Sequence, residues 1–121
     1  MSAVCGMDGP VDWGLAMIAL RDIEMFTGKL ADVYHPRRIV MFGSYAAGKM
    51  RQDSDVDLLV TFDSVSNRLR TVTEVITNLK PRFAVDLMIR TEQEVRDRLR
   101  ENDGFMADIM KNGRVLYEKI D

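Results

Sequence analysis

Residues 39–60 read IVMFGSYAAGKMRQDSDVDLLV, and this stretch decides the architecture. An apolar run, Ile39-Val40-Met41-Phe42, closes on Gly43. A polar connection follows, and a second apolar run starts at Val56. The β-branched and aromatic content predicts a strand on each side of the connection. On the second strand, predicted over Asp55–Phe62, Asp55 and Asp57 are two apart and project to one face. Val56, Leu58 and Val60 project to the other face and build core. Neighbouring carboxylates repel, and burial makes the repulsion worse. A divalent cation held between them reverses the balance.

The connection itself contains Gly43, Gly48 and Lys49 at the spacing of a phosphate-binding P-loop. Met50 stands where that motif needs Ser or Thr to place a hydroxyl on Mg²⁺. A thioether is a soft ligand that a hard cation avoids, so the P-loop reading fails. Gly43 instead allows a phosphate to approach the backbone closely. Ser44 offers a hydroxyl and is expected to cap a short helix whose N-terminus favours anions.

A third carboxylate, Asp86, lies in Arg82–Ile89, which reads as another strand. Among apolar neighbours an aspartate is costly unless paired or metal-bound. Arg82 and Arg90 are its candidate ion-pair partners. If this strand lies beside the Asp55–Asp57 strand, three carboxylates share one face and form a candidate two-metal site.

Apolar residues at helical spacing (Leu15, Ile18, Ile23, Phe26, Leu30, Val33) predict a helix over Val11–Tyr34, ended by His35-Pro36. Further along, helices are expected over Ser66–Leu79, from Thr91 onward behind a Thr91-x-x-Glu94 capping box, and over Phe105–Lys111. Val115–Tyr117 is a last short strand. Glu92–Arg96 is expected to form an i,i+4 pair on a solvated face. Tyr45 has two readings, stacking on a base or packing against the fold. Strands alternating with helices indicate an α/β sheet with helices packed on it.

With 121 residues the chain is expected to be one domain, 1–121, in which 1–36 form an N-terminal arm and helix. A net charge of -2 argues against nonspecific nucleic-acid binding. Cys5 is the only cysteine, which removes a disulfide framework or cysteine zinc cluster and points to the cytoplasm. No apolar run is long enough to span a bilayer, and the N-terminus does not read as a signal peptide.

Gly43-Ser44, ten residues, then Asp55-Val56-Asp57 resembles the G-S-x10-D-x-D signature of the DNA polymerase beta-like nucleotidyltransferases. The size is most similar to the minimal nucleotidyltransferase group. The resemblance implies a small mixed sheet with helices packed on it. It implies Mg²⁺ ligands at Asp55, Asp57 and Asp86, with Asp86 also a candidate general base, and nucleotide contacts at Gly43 and Ser44. Many members carry arginines where this chain has Tyr45 and Ala47, so Lys49 and Arg51 are the remaining candidates for positive charge at the triphosphate. The implied activity is transfer of a nucleoside monophosphate, AMP from ATP, to an acceptor hydroxyl. In this group the partner is often a HEPN-type toxin, which makes the chain a candidate antitoxin that modifies it. A binding module that masks its partner and a transferase to a small-molecule hydroxyl are the alternatives. Self-association is left open.

Overall fold

In a computed structural model, residues 11–48 and 55–120 are described, with side chains from Leu20 onward. The chain runs α1 (Val11–Tyr34), β1 (Arg38–Phe42), β2 (Val56–Phe62), α2 (Arg68–Leu79), β3 (Val85–Thr91), α3 (Glu92–Arg100), α4 (Gly104–Asn112) and β4 (Arg114–Glu118). The four strands form one mixed sheet in the order β3-β2-β1-β4. β1 pairs antiparallel with β2 and with β4. β2 pairs parallel with β3, and the parallel step requires a crossover, which α2 supplies.

Helices cover both faces of the sheet. On one face, Ile23, Phe26 and Leu30 of α1 and Val75 of α2 pack on Ile39, Met41, Val56, Leu58, Val60, Leu87 and Ile89. On the other, Val95 of α3 and Met106 and Ile109 of α4 pack on Val40 and Leu59. The central strand β2 is therefore buried on both sides, which explains the nearly unbroken apolar run Leu58-Leu59-Val60. Full burial of each such side chain contributes about 1.5–3 kcal/mol relative to exposure.

Local signals set the ends of the elements. His35 takes a left-handed conformation, φ 53°, and closes α1 ahead of Pro36. The Asn67 side chain caps α2 by accepting from the Arg70 amide, at 2.9 Å. Thr91 and Glu94 form the expected capping box on α3. Gly113 is a site of close backbone approach: a Cβ there would collide with the Ile109 carbonyl and stand 2.7 Å from a Val40 methyl.

Four expectations change. The residues after Gly43 do not start a helix. Ala47 N–H bonds to Gly43 O at 3.1 Å and Gly48 N–H to Tyr45 O at 3.3 Å, closing turns between two positive-φ glycines. Ser44 is thus a turn residue, not a helix cap. The strand expected over Arg82–Ile89 starts later, at Val85, and runs on to Thr91. Val33, expected in the apolar stripe of α1, is 56% exposed. Finally, Glu92 pairs with Arg38 across the fold rather than with Arg96, whose guanidinium bonds to Gln93.

Candidate active site

The topology alone brings the acidic residues to one end of the sheet. β1 runs toward Gly43, and the antiparallel β2 starts beside it. The parallel β3 starts beside β2. The register is direct: Phe42 lies opposite Asp57, and Asp57 lies opposite Asp86. Cross-strand partners share a face, so Phe42, Asp57 and Asp86 form a row on the face covered by α3 and α4. Asp55, the residue before β2, has the same parity as Asp57.

Asp57 is half-buried, whereas Asp55 and Asp86 are exposed. Asp86 was expected inside an apolar strand. It stands instead at the second position of β3, where the strand emerges from the core, and so carries little desolvation cost. It forms no ion pair with Arg82 or Arg90. Burial, followed by the charges of Asp86 and Asp55, raises the Asp57 carboxyl above its ordinary range. Among the described residues no three acidic, histidine or cysteine side chains close on a single point. The carboxylates share a face and an end of the sheet without converging on one point.

Gly43 abuts the same carboxylate. Its φ is 77°, and a Cβ built on it would collide with Asp57 Oδ2. Glycine is required here twice, for backbone conformation and for space. The turn from Gly43 to Gly48 presents Ser44 beyond the end of the row. Lys49 and Arg51 lie outside the described residues. Tyr45 packs against the α1–α2 core, on the face opposite the carboxylates, which selects the packing reading.

One neighbour was not singled out by the sequence. Phe105, at the start of α4, stands edge-to-face on Phe42, with ring centroids 5.8 Å apart and an interplanar angle of 84°. Phe105 is separated from Phe42 by about half the chain, and the packing of α4 on β1 unites them.

The family model for polymerase beta nucleotidyltransferases matches residues 27–121. The chain belongs to this family.

Among relatives of this nucleotidyltransferase, a candidate protein adenylyltransferase of Methanocaldococcus jannaschii is 31% identical over 97 residues, covering 78% of this chain and 94% of its own. The protein adenylyltransferase MntA of Thermococcus cleftensis is 37% identical over 60 residues, covering 46% of this chain and 61% of its own. In structure, a nucleotidyltransferase-like protein from Sulfolobus solfataricus superposes with a TM-score of 0.65 at 20% identity, over 94% of both chains. A toxin–antitoxin crystal structure with AMP-PNP superposes with a TM-score of 0.52 at 22% identity, over 79% of this chain and 73% of that one. The polymerase beta-like fold expected from the Gly-Ser and Asp-Val-Asp motifs is therefore the one the nucleotidyltransferase adopts. No described helix is long and apolar enough to cross a membrane.

Proposed function

We propose that this nucleotidyltransferase transfers AMP from ATP to a hydroxyl of a partner protein. We further propose that the partner is a HEPN-type toxin and that the chain acts in the cytoplasm as its antitoxin. The observation that carries the reading is the row of Gly43, Asp57 and Asp86 across three adjoining strand ends. The protein acceptor is supported by the relatives named for protein adenylylation. Pairing with a toxin is supported by the shared fold of the toxin–antitoxin structures.

The donor set fits Mg²⁺. All the candidate ligands are carboxylate oxygens, the hard ligands this ion prefers. The strain on Asp57, raised by burial and by two neighbouring acids, is of the kind a divalent cation relieves. Asp55, Asp57 and Asp86 would hold the ion, which supplies charge neutralisation for the triphosphate and the departing pyrophosphate.

The remaining work falls to the chain's own groups. Gly43 lets a phosphate lie against the backbone, and the Ser44 hydroxyl can donate to it. Lys49 and Arg51 would add positive charge along the triphosphate. The acceptor oxygen attacks the α-phosphorus: a bond from that oxygen to phosphorus forms, and the bond from phosphorus to pyrophosphate breaks. Asp86, exposed on the edge strand β3, would take the hydroxyl proton and pass it to solvent. Catalysis is then mainly positioning and charge complementarity.

The test is incubation of the purified chain with ATP labelled at the α-phosphate, Mg²⁺ and the product of the neighbouring gene. The wild-type chain labels that partner, and Asp55→Ala and Asp57→Ala abolish the label. Label that survives both substitutions contradicts the proposal. A partner that is neutralised without acquiring label points instead to masking by binding.

A further inference from the structure

The structure assigns Phe105, braced by Phe42, as the platform on which the nucleobase of the donor nucleotide stacks, with a purine preferred over a pyrimidine. The assignment rests on the nucleotidyl-transfer reading and adds the position of the base. Phe42, Asp57 and Asp86 lie in one row on one face, on β1, β2 and β3 in turn. Asp57 is central. On one side of it, Asp86 opens to solvent at the edge strand, which suits an incoming acceptor. On the other side, Phe42 rises toward α4 and meets Phe105.

The Gly43–Gly48 turn continues past the strand end, so a triphosphate held there leaves Asp57 along the strand direction. The nucleoside must take another course. The one that stays on this face and avoids the acceptor side leads over Phe42 to Phe105. Cross-strand side chains are about 5 Å apart at Cβ. With the 5.8 Å between the two rings, Phe105 stands on the order of 10 Å from the carboxylate, a span that an α-phosphate and its ribose cover together.

A singly exposed phenylalanine is ordinary and calls for no explanation. Phe105 differs because, although 58% exposed, it is held in a fixed edge-to-face geometry by a ring adjoining the site. The pairing orients it, and stacking on an already ordered ring costs little entropy. The other aromatic near the turn, Tyr45, packs on the opposite face and is excluded. Base stacking on an aromatic side chain tolerates any base but strengthens with the area of the π-face, which favours purines.

Isothermal titration with Mg²⁺ and either ATP, CTP or inorganic tripolyphosphate tests the assignment. Phe105→Ala should weaken ATP binding about tenfold and CTP binding less, and leave tripolyphosphate binding unchanged. Phe105→Trp should restore ATP affinity, whereas Phe105→Leu, apolar but without a π-face, should not. A thermal melt of each variant confirms folding, and Phe42 is left intact because it contributes to the core. An unchanged ATP affinity in Phe105→Ala overturns the assignment, as does equal weakening of ATP and tripolyphosphate. A wild-type chain that binds neither ATP nor tripolyphosphate overturns the nucleotidyl-transfer reading, and the base platform with it.

Discussion

The two ends of the sheet treat charge in opposite ways. At the end formed by Arg38 and Thr61, the acids are matched. Arg38 donates to both carboxylate oxygens of Glu92, at 2.6 and 3.2 Å, and Arg68 pairs with Glu94. Burial pushes the Glu92 carboxyl up, but hydrogen bonding and the positive charge of Arg38 outweigh it and hold the group below its usual range. At the other end, Asp55, Asp57 and Asp86 share one end of the sheet, no ion pair joins them to a basic side chain among the described residues, and Asp57 is driven up. The same kind of side chain stabilises the fold at one end and burdens it at the other. A burden of this kind is retained where a ligand supplies the missing charge.

Substitutions at the two ends should therefore separate activity from stability. The largest effect is expected for Asp57→Ala. Transfer should fall by about 10²–10³-fold, while the metal-free protein melts no lower than wild type because a like-charge contact is removed. Circular dichroism melts alongside the labelling assay check both halves.

Arg38→Met should do the reverse. It leaves Glu92 without its partner in a largely buried position and should cost about 1.5–3 kcal/mol in urea denaturation, with ATP affinity unchanged. Arg38→Met combined with Glu92→Met should recover most of that loss, since the pair itself is worth far less than an orphaned charge. The pH dependence follows from the lowered folded-state value of Glu92. Its contribution is present above the unfolded carboxyl's range and is lost as pH falls through the folded value. The acid loss of stability should therefore be shallower in Glu92→Gln than in wild type.

Gly43→Ala should cost roughly 1–2 kcal/mol for its left-handed backbone alone, and it should also depress transfer because the new methyl meets Asp57. The smallest effect is expected for Thr91→Ala, which removes the α3 cap and should cost about 1 kcal/mol, without touching the carboxylate end.

The strands, the α3 capping box and the Asp55–Asp57 spacing were legible in the sequence because each is a local pattern. The connection after Gly43 was not. Ser44-Tyr45-Ala46-Ala47 is compatible with a helix, but Gly43 and Gly48 both adopt positive φ and close turns instead. The apolar neighbours of Asp86 suggested burial, yet exposure depends on where β3 begins, and that is set by its pairing with β2. Glu92 had a plausible local partner in Arg96. It found a stronger one in Arg38, brought close by the sheet and invisible to helical spacing. The contact of Phe105 with Phe42 is of the same long-range kind.

Titration of the ¹⁵N-labelled chain with Mn²⁺, followed by paramagnetic broadening of amide resonances, tests most directly whether the unmatched end is a metal–nucleotide centre. Gly43, Asp57 and Asp86 should broaden first, and Mg²⁺ should reverse the effect, while Arg38 and Glu92 stay sharp. Broadening that begins at Glu92 or Glu94, or that spreads evenly over the acidic surface, would contradict the account.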